Sequence, residues 1–188
     1  MNKYKILLPA AALLLLLGSA IPAFAAAPPA GVARRAPAPG GESIAEIAIG
    51  AGFTELVGAL VYVDDELDAG LVALFSEGTD QYTVFAPTNE AFENLYEALE
   101  IDGITDLPAE LVLDVLLYHV LEGRRAANSV VPPVRDRMIT TLLGATFTVD
   151  RYAQITDVAG QESNIVAADI SASNGIIHVI DTVLLPLD

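Results

Sequence analysis

The sequence predicts an α+β domain, with helices first, strands later and one early strand free to pair with the late ones. Three observations carry this. Apolar residues recur at helical spacing through residues 44–121. From residue 138 onward the apolar runs shorten, become rich in β-branched residues and are bounded by turn formers. Among the helices, residues 82–86 read as a lone strand stopped by Pro87.

Each element has a local cause. Ser43 is placed to cap a helix over 44–49, and Glu46 completes a capping box. Gly50-Ala51-Gly52 breaks that helix. Phe53, Leu56, Val57 and Leu60 then form one apolar helical face. Residues 64–68 read as an acidic loop or helix start, and Leu71, Val72, Leu74 and Phe75 as a further short helix. After the strand at 82–86, Thr88 is a natural N-cap, and Glu90 suits the positive end of the helix dipole. Phe92, Leu95, Tyr96 and Leu99 share a face of that helix. Pro108 opens a helix predicted over 109–121, apolar on most sides and so buried, with Gly123 placed to end it. The predicted strands are 138–142, 145–149, 154–158, 164–170 and 175–184. Leu143-Gly144 and Asn174-Gly175 are hairpin turns, the second expected to need positive φ at the glycine. The strand-and-stop segments at 83–92 and 174–186 bracket about a hundred residues. They predict one domain closed by strands from opposite ends of its sequence.

Composition bounds the setting. Residues 1–25 read as a signal peptide: Lys3 and Lys5, an apolar run of about 12 residues containing Leu13 to Leu17, then Ala23-Phe24-Ala25. Cleavage is expected after Ala25; Pro28 disfavours a cut after Ala27. The run contains Pro9 and falls short of the roughly 20 residues that a membrane span needs. Residues 26–41 form a Pro/Ala/Gly-rich linker, and 42–188 form one domain. The expected location is secreted, extracellular or cell-surface associated (periplasmic in a Gram-negative cell), and not integral to a membrane. There is no Cys, so no disulfide staples the domain. All 25 acidic residues lie from Glu42 onward, opposed there by five arginines, a net of −20. Such a surface repels phosphate backbones, which excludes nucleic acid as a natural partner. The bland account of this charge is a solvated surface that keeps the protein soluble.

Catalytic constellations are sparse. No cysteine nucleophile, G-x-S-x-G elbow, Walker loop or H-E-x-x-H occurs. A Ser173–His178–Asp181 relay fails, because residues three apart on a strand face opposite sides. His119 and His178 read as structural residues whose ring nitrogens bond to backbone. Asp64, Glu66 and Asp68 fit the first positions of a calcium loop, but Ala69 and Phe75 stand where Gly and Glu are required. No metal or cofactor is expected, and no enzyme activity.

Segment 83–92, with Thr83, Phe85, Pro87, Thr88, Asn89 and Phe92, resembles the first signature of the fasciclin domain. Segment 174–186, with Asn174, Gly175, His178 and Asp181, resembles the second. Between them, Leu117-Tyr118-His119-Val120 resembles the family's Tyr-His motif and Thr141-Leu142-Leu143-Gly144 its threonine–leucine–glycine turn. The resemblance implies a fasciclin-like wedge, an N-terminal helical region packed on a small β-sandwich. It also implies a secreted, non-enzymatic adhesion or extracellular-matrix module, whose partner is an extracellular protein or cell-surface polymer. In animal members the Tyr-His region and an Asp-Ile dipeptide are implicated in integrin binding; here those positions are Tyr118, His119, Asp169 and Ile170. The export signal and single short domain fit a bacterial protein, for which an integrin is not the ordinary partner. Core periodicity accounts for most signature residues as scaffold. The alternative is an extracellular carrier of a small apolar ligand, a pigment or lipid. The 53% hydrophobic composition motivates it, although part of that belongs to the leader. The sequence leaves the oligomeric state open.

Overall fold

The computed structural model describes residues 41–78 and 80–186. The expected signal peptide, residues 1–25, and almost all of the expected linker, 26–41, lie outside the described residues. The elements run α1 (Ile44–Gly50), α2 (Thr54–Leu67), α3 (Leu71–Glu77), β1 (Tyr82–Pro87) and α4 (Asn89–Leu99). A 3₁₀ turn (Ile104–Asp106) leads to α5 (Ala109–Tyr118), β2 (Val120–Glu122) and α6 (Ala127–Val130). Five strands follow: β3 (Arg137–Thr140), β4 (Thr146–Val149), β5 (Gln154–Thr156), β6 (Glu162–Ala172) and β7 (Gly175–Ile180). The fold is α+β, as the periodicity predicts.

One sheet carries all seven strands in the order β2-β1-β7-β6-β5-β4-β3. The early strand does pair with the last. β1 and β7 are parallel, from Tyr82 opposite Gly175 to Pro87 opposite Ile180. Every other pairing is antiparallel. The sheet curls until its two edges nearly meet, where the Leu142 N–H donates to the Val120 carbonyl at 2.7 Å. The curl creates two cores on either side of β1 and β7. Toward the helices, Val84, Ala86 and Ile177 pack with Leu56, Val63, Phe75 and Val112. Inside the curl, Phe85 and Ile180 pack with Tyr118, Phe147, Val149 and Ile155. Phe85 meets Phe147 edge to face at 5.2 Å, a favoured aromatic geometry.

The structure corrects four local expectations. The helix from Pro108 ends at Tyr118, three residues early, because Val120–Glu122 leaves to pair with β1. Gly123 therefore follows a strand, with φ of 85°. The acidic segment 64–68 is neither a loop nor a helix start. It is the last turn of α2, closed by Asp68 in the left-handed region. The Asp64 carboxylate reaches forward to accept the N–H groups of Leu71 and Val72, each at 2.8 Å, and so caps α3. Strand β7 stops at Ile180, and Val183 and Leu184 are buried without belonging to it.

The fourth correction concerns Asn174-Gly175. The hairpin's central residues are Ser173 and Asn174, and Gly175 already pairs with Ala172 and Tyr82. Gly175 does not have positive φ. Glycine is needed for space: a Cβ there would lie 2.1 Å from the Tyr82 carbonyl oxygen and 2.7 Å from Ile44 Cδ1. The obstacle is backbone, so it cannot swing aside. Gly175→Ala should cost about 1–3 kcal/mol by forcing β1 and β7 apart. A lowered denaturant midpoint at unchanged m-value is the expected result; an unchanged midpoint would show that the strands yield freely.

Candidate functional site

His178 sits at the middle of β7, buried on the inner face and 5.4 Å from the Phe85 ring. Its Nε2–H donates to the Arg125 carbonyl at 2.9 Å, and its Nδ1 accepts the Asp169 N–H at 3.3 Å. The ring is thus neutral. Burial lowers its pKa, opposed by the Arg125 bond and the nearby Asp169 charge. Asp169 adopts φ of 61° where β6 slips register between Ala167 and Ile170. Its exposed carboxylate accepts the Ala127 N–H at 2.7 Å, at the start of α6. Ile170 is half-buried against the helical core.

Tyr118 and His119 end α5 with their side chains inside the protein, 0% and 2% exposed respectively. The Tyr118 hydroxyl donates to the Thr146 carbonyl at 2.8 Å and accepts the Val158 N–H at 3.4 Å. Burial, with a smaller push from Asp157, raises its pKa to about 12. His119 Nδ1–H donates to the Val115 carbonyl at 2.7 Å, and its Nε2 accepts the Leu184 N–H at 2.9 Å. Its own carbonyl accepts the Phe85 N–H at 2.8 Å. One residue thereby joins α5, β1 and the segment after β7.

No hydrogen bond joins the Tyr118-His119 pair to the Asp169-Ile170 pair. They are linked indirectly through Phe85, which bonds the His119 carbonyl and packs against His178, and through the His178–Asp169 bond. Of the four, Asp169 is exposed and Ile170 half-buried, while Tyr118 and His119 are closed off from the surface. The Ser173–His178–Asp181 geometry is likewise not a relay, since both His178 nitrogens are committed to backbone. The Asp181 carboxylate holds the Asn164 N–H at 2.7 Å and the Asn164 side chain at 2.9 Å. Among the described residues no group of three or more His, Cys, Asp or Glu is placed to hold a metal ion.

Three of the signature polar residues, Thr83, Asn89 and Asn174, tie distant pieces of chain, while Thr88 acts locally. Thr83 Oγ1 donates to the Gly123 carbonyl at 2.7 Å and accepts the Arg125 N–H at 2.8 Å, which sets the loop that presents Arg125 to His178. Thr88 caps α4 through the Ala91 N–H. Asn89 accepts the Glu55 N–H at 3.2 Å and donates to the Gly52 carbonyl at 2.9 Å, supplying the cap that Phe53 cannot give α2. Asn174 accepts the Ile44 N–H and donates to the Phe75 carbonyl, each at 2.9 Å, joining α1 to α3. Sequence reasoning missed two further ties. Arg124 donates to the carbonyls of Ala172 and Gly175 at 2.8 and 2.6 Å. The buried Asp157 accepts the N–H groups of Gln161 and Leu185 at 2.8 and 2.9 Å. Gly160, three residues after Asp157, marked the turn but not the burial.

A family model, Fasciclin domain, matches residues 51–186. The chain belongs to the fasciclin domain family. Protein sll1483 of Synechocystis sp. is 34% identical over 148 residues, covering 77% of this chain and 73% of the relative. Cell surface glycolipoprotein MPT83 of Mycobacterium tuberculosis is 36% identical over 120 residues, covering 63% of this chain and 49% of the relative. Transforming growth factor-beta-induced protein ig-h3 of Sus scrofa is 36% identical over 110 residues, which are 58% of this chain and 15% of that protein. The fasciclin domain here thus spans about half the length of the mycobacterial relative. Among solved structures, it is similar to a FAS1 domain pair from the insect cell adhesion molecule Fasciclin I. That likeness has 18% identity and a TM-score of 0.46, over 69% of this chain and 45% of the other.

The buried histidines give the domain a defined acid response. Burial lowers the His119 pKa from 6.5 to about 4, opposed by its bond to Val115. As pH falls, the unfolded chain takes up this proton before the folded one. The stabilisation is therefore complete above about 6.5, falls with pH, and is exhausted near 4. It amounts to roughly 3 kcal/mol. The unfolding free energy of wild type should fall by about that much more than that of His119→Gln across this window. Parallel curves for the two proteins would contradict the assignment.

Proposed function

We propose that the protein is an exported, non-catalytic adhesion or matrix-interaction module, acting at the cell surface or outside it on an extracellular protein or surface polymer. The observation that carries this reading is membership of the fasciclin family across nearly the whole domain. Supporting it are the expected signal peptide and the mycobacterial relatives whose names place them at the cell surface. Among the described residues no helix is long and apolar enough to cross a membrane. The chemistry of the candidate site agrees, since each histidine spends both ring nitrogens on backbone and leaves neither for substrate.

A second reading, a carrier of a small apolar ligand, draws support from one feature. An all-apolar cleft of about 130 Å³ opens among α1, α2, α3 and α5. Leu60, Phe75 and Leu116 line it, and Ile49, Val61 and Val72 on its walls are solvent-exposed. Cavities of this order admit a benzene-sized group, whereas pockets for larger ligands run to roughly 300–1,000 Å³. A whole pigment or lipid would therefore need the helices to part.

The mature chain, residues 26–188, should be retained by intact producing cells or their wall fraction at micromolar concentration. The protein purified from its own source should show its bare native mass. Failure of retention, together with a native mass raised by a small chromophore or lipid, would reverse the order of the two readings.

A further inference from the structure

The most exposed large apolar side chains of the described domain share one end of the sheet. Val134 is 74% exposed, Tyr152 73% and Met138 72%. The strand register brings them together. Arg137 lies opposite Val149, and Met138 opposite Thr148. The turn after Val149 carries Arg151 and Tyr152, with the Arg151 guanidinium 4.6 Å from the Tyr152 ring centre. Residues 132–138 line an open trough of about 550 Å³ beside it.

Charge marks the same place. Arg135, Arg137 and Arg151 are three of the domain's five arginines. Counted with the neighbouring Asp136 and Asp150 they leave a net of +1 in this stretch of sequence, while the rest of the domain carries −21. Asp150 is already engaged by the N–H groups of Tyr152 and Gln154 at 2.8 and 2.9 Å. Arg137 spends one N–H on the Ser129 carbonyl. By contrast Arg124 clamps β6 to β7 through bonds to Ala172, Gly175 and Ser171.

We propose that this end of the sheet, Val134, Met138 and Tyr152 framed by Arg135 and Arg151, is a docking surface for an acidic protein face with an apolar centre. Arg, Tyr and Met are the residue types that mark protein interfaces, where Lys, Asp and Glu are depleted. Only an anionic partner gains from the arginines, and the domain's own −21 repels it everywhere else, so complementarity also fixes orientation. A sugar polymer would stack on Tyr152 but leave Val134 and Met138 without apolar partners. The proposal rests on the reading of the chain as an interaction module and names the surface and partner chemistry of that module.

The probe is a fluorescein-labelled 16-residue amphipathic peptide of Glu alternating with Leu and Phe, titrated with the mature chain in 0.15 M NaCl. Its control has Lys for every Glu. Binding at tens of micromolar is expected, with none for the lysine peptide. Arg135→Glu with Arg151→Glu should weaken it tenfold or more, and Met138→Ser about fivefold, all at unchanged melting temperature. Equal affinity across these variants, or no binding by wild type, would overturn the proposal. So would an arginine-dependent affinity for polygalacturonate with the peptide inert, or self-association by sedimentation that depends on the same residues. If cells retain the chain while the peptide fails, this surface is lost and the adhesion reading stands.

Discussion

Six residues of β1 lie in parallel register beside six of β7, and all twelve are buried. Burial on both faces is the mark of parallel strands with cover on each side. Here the helices cover one face and the curled sheet covers the other, so this pair divides the two cores. The strands come from opposite ends of the domain, and their pairing closes a long loop at an entropic cost that the packing on both sides must offset. The near-contact at Gly175 shows how tight the closure is, since the strands leave no room for one methyl group.

The polar residues around that pair hold the rest of the chain to it. Asn89, just past β1, caps α2, and Asn174, just before β7, joins α1 to α3. His119 fastens the end of α5 to β1 and to Leu184, while His178 fastens the bulge of β6 to the loop after β2. Asn174, His119 and His178 are buried, and removing one partner of a buried hydrogen bond leaves the other unsatisfied. This accounts for polar side chains in a domain with no disulfide.

Elements whose cause is local could be read from the sequence. Ser43 and Glu46 announce α1, Thr88 announces α4, and the β-branched runs announce the late strands. Elements decided by distant partners could not. Residues 120–122 continue a helical pattern, but pairing with β1 outcompetes one further turn. Asn174-Gly175 looks like a positive-φ turn, but its glycine answers to Tyr82, 93 positions away. At the candidate positions the burial was not legible. Tyr118 and His119 sit inside because the sheet curls over them, which no local pattern encodes. The arginine-framed surface was equally hidden, since its residues meet only through the β3–β4 register.

The most exposed apolar side chains lie about β3 and β4, which come last in the strand order that begins with β2 and β1. Buried on both faces and holding both cores, β1 and β7 form the last structure to open. Residue-resolved amide hydrogen exchange on residues 26–188 tests it directly. The β1 and β7 amides should exchange only through global unfolding, with β3 and β4 opening at lower free energy. Exchange from β1 and β7 at a lower free energy than from β3 and β4 would contradict the account.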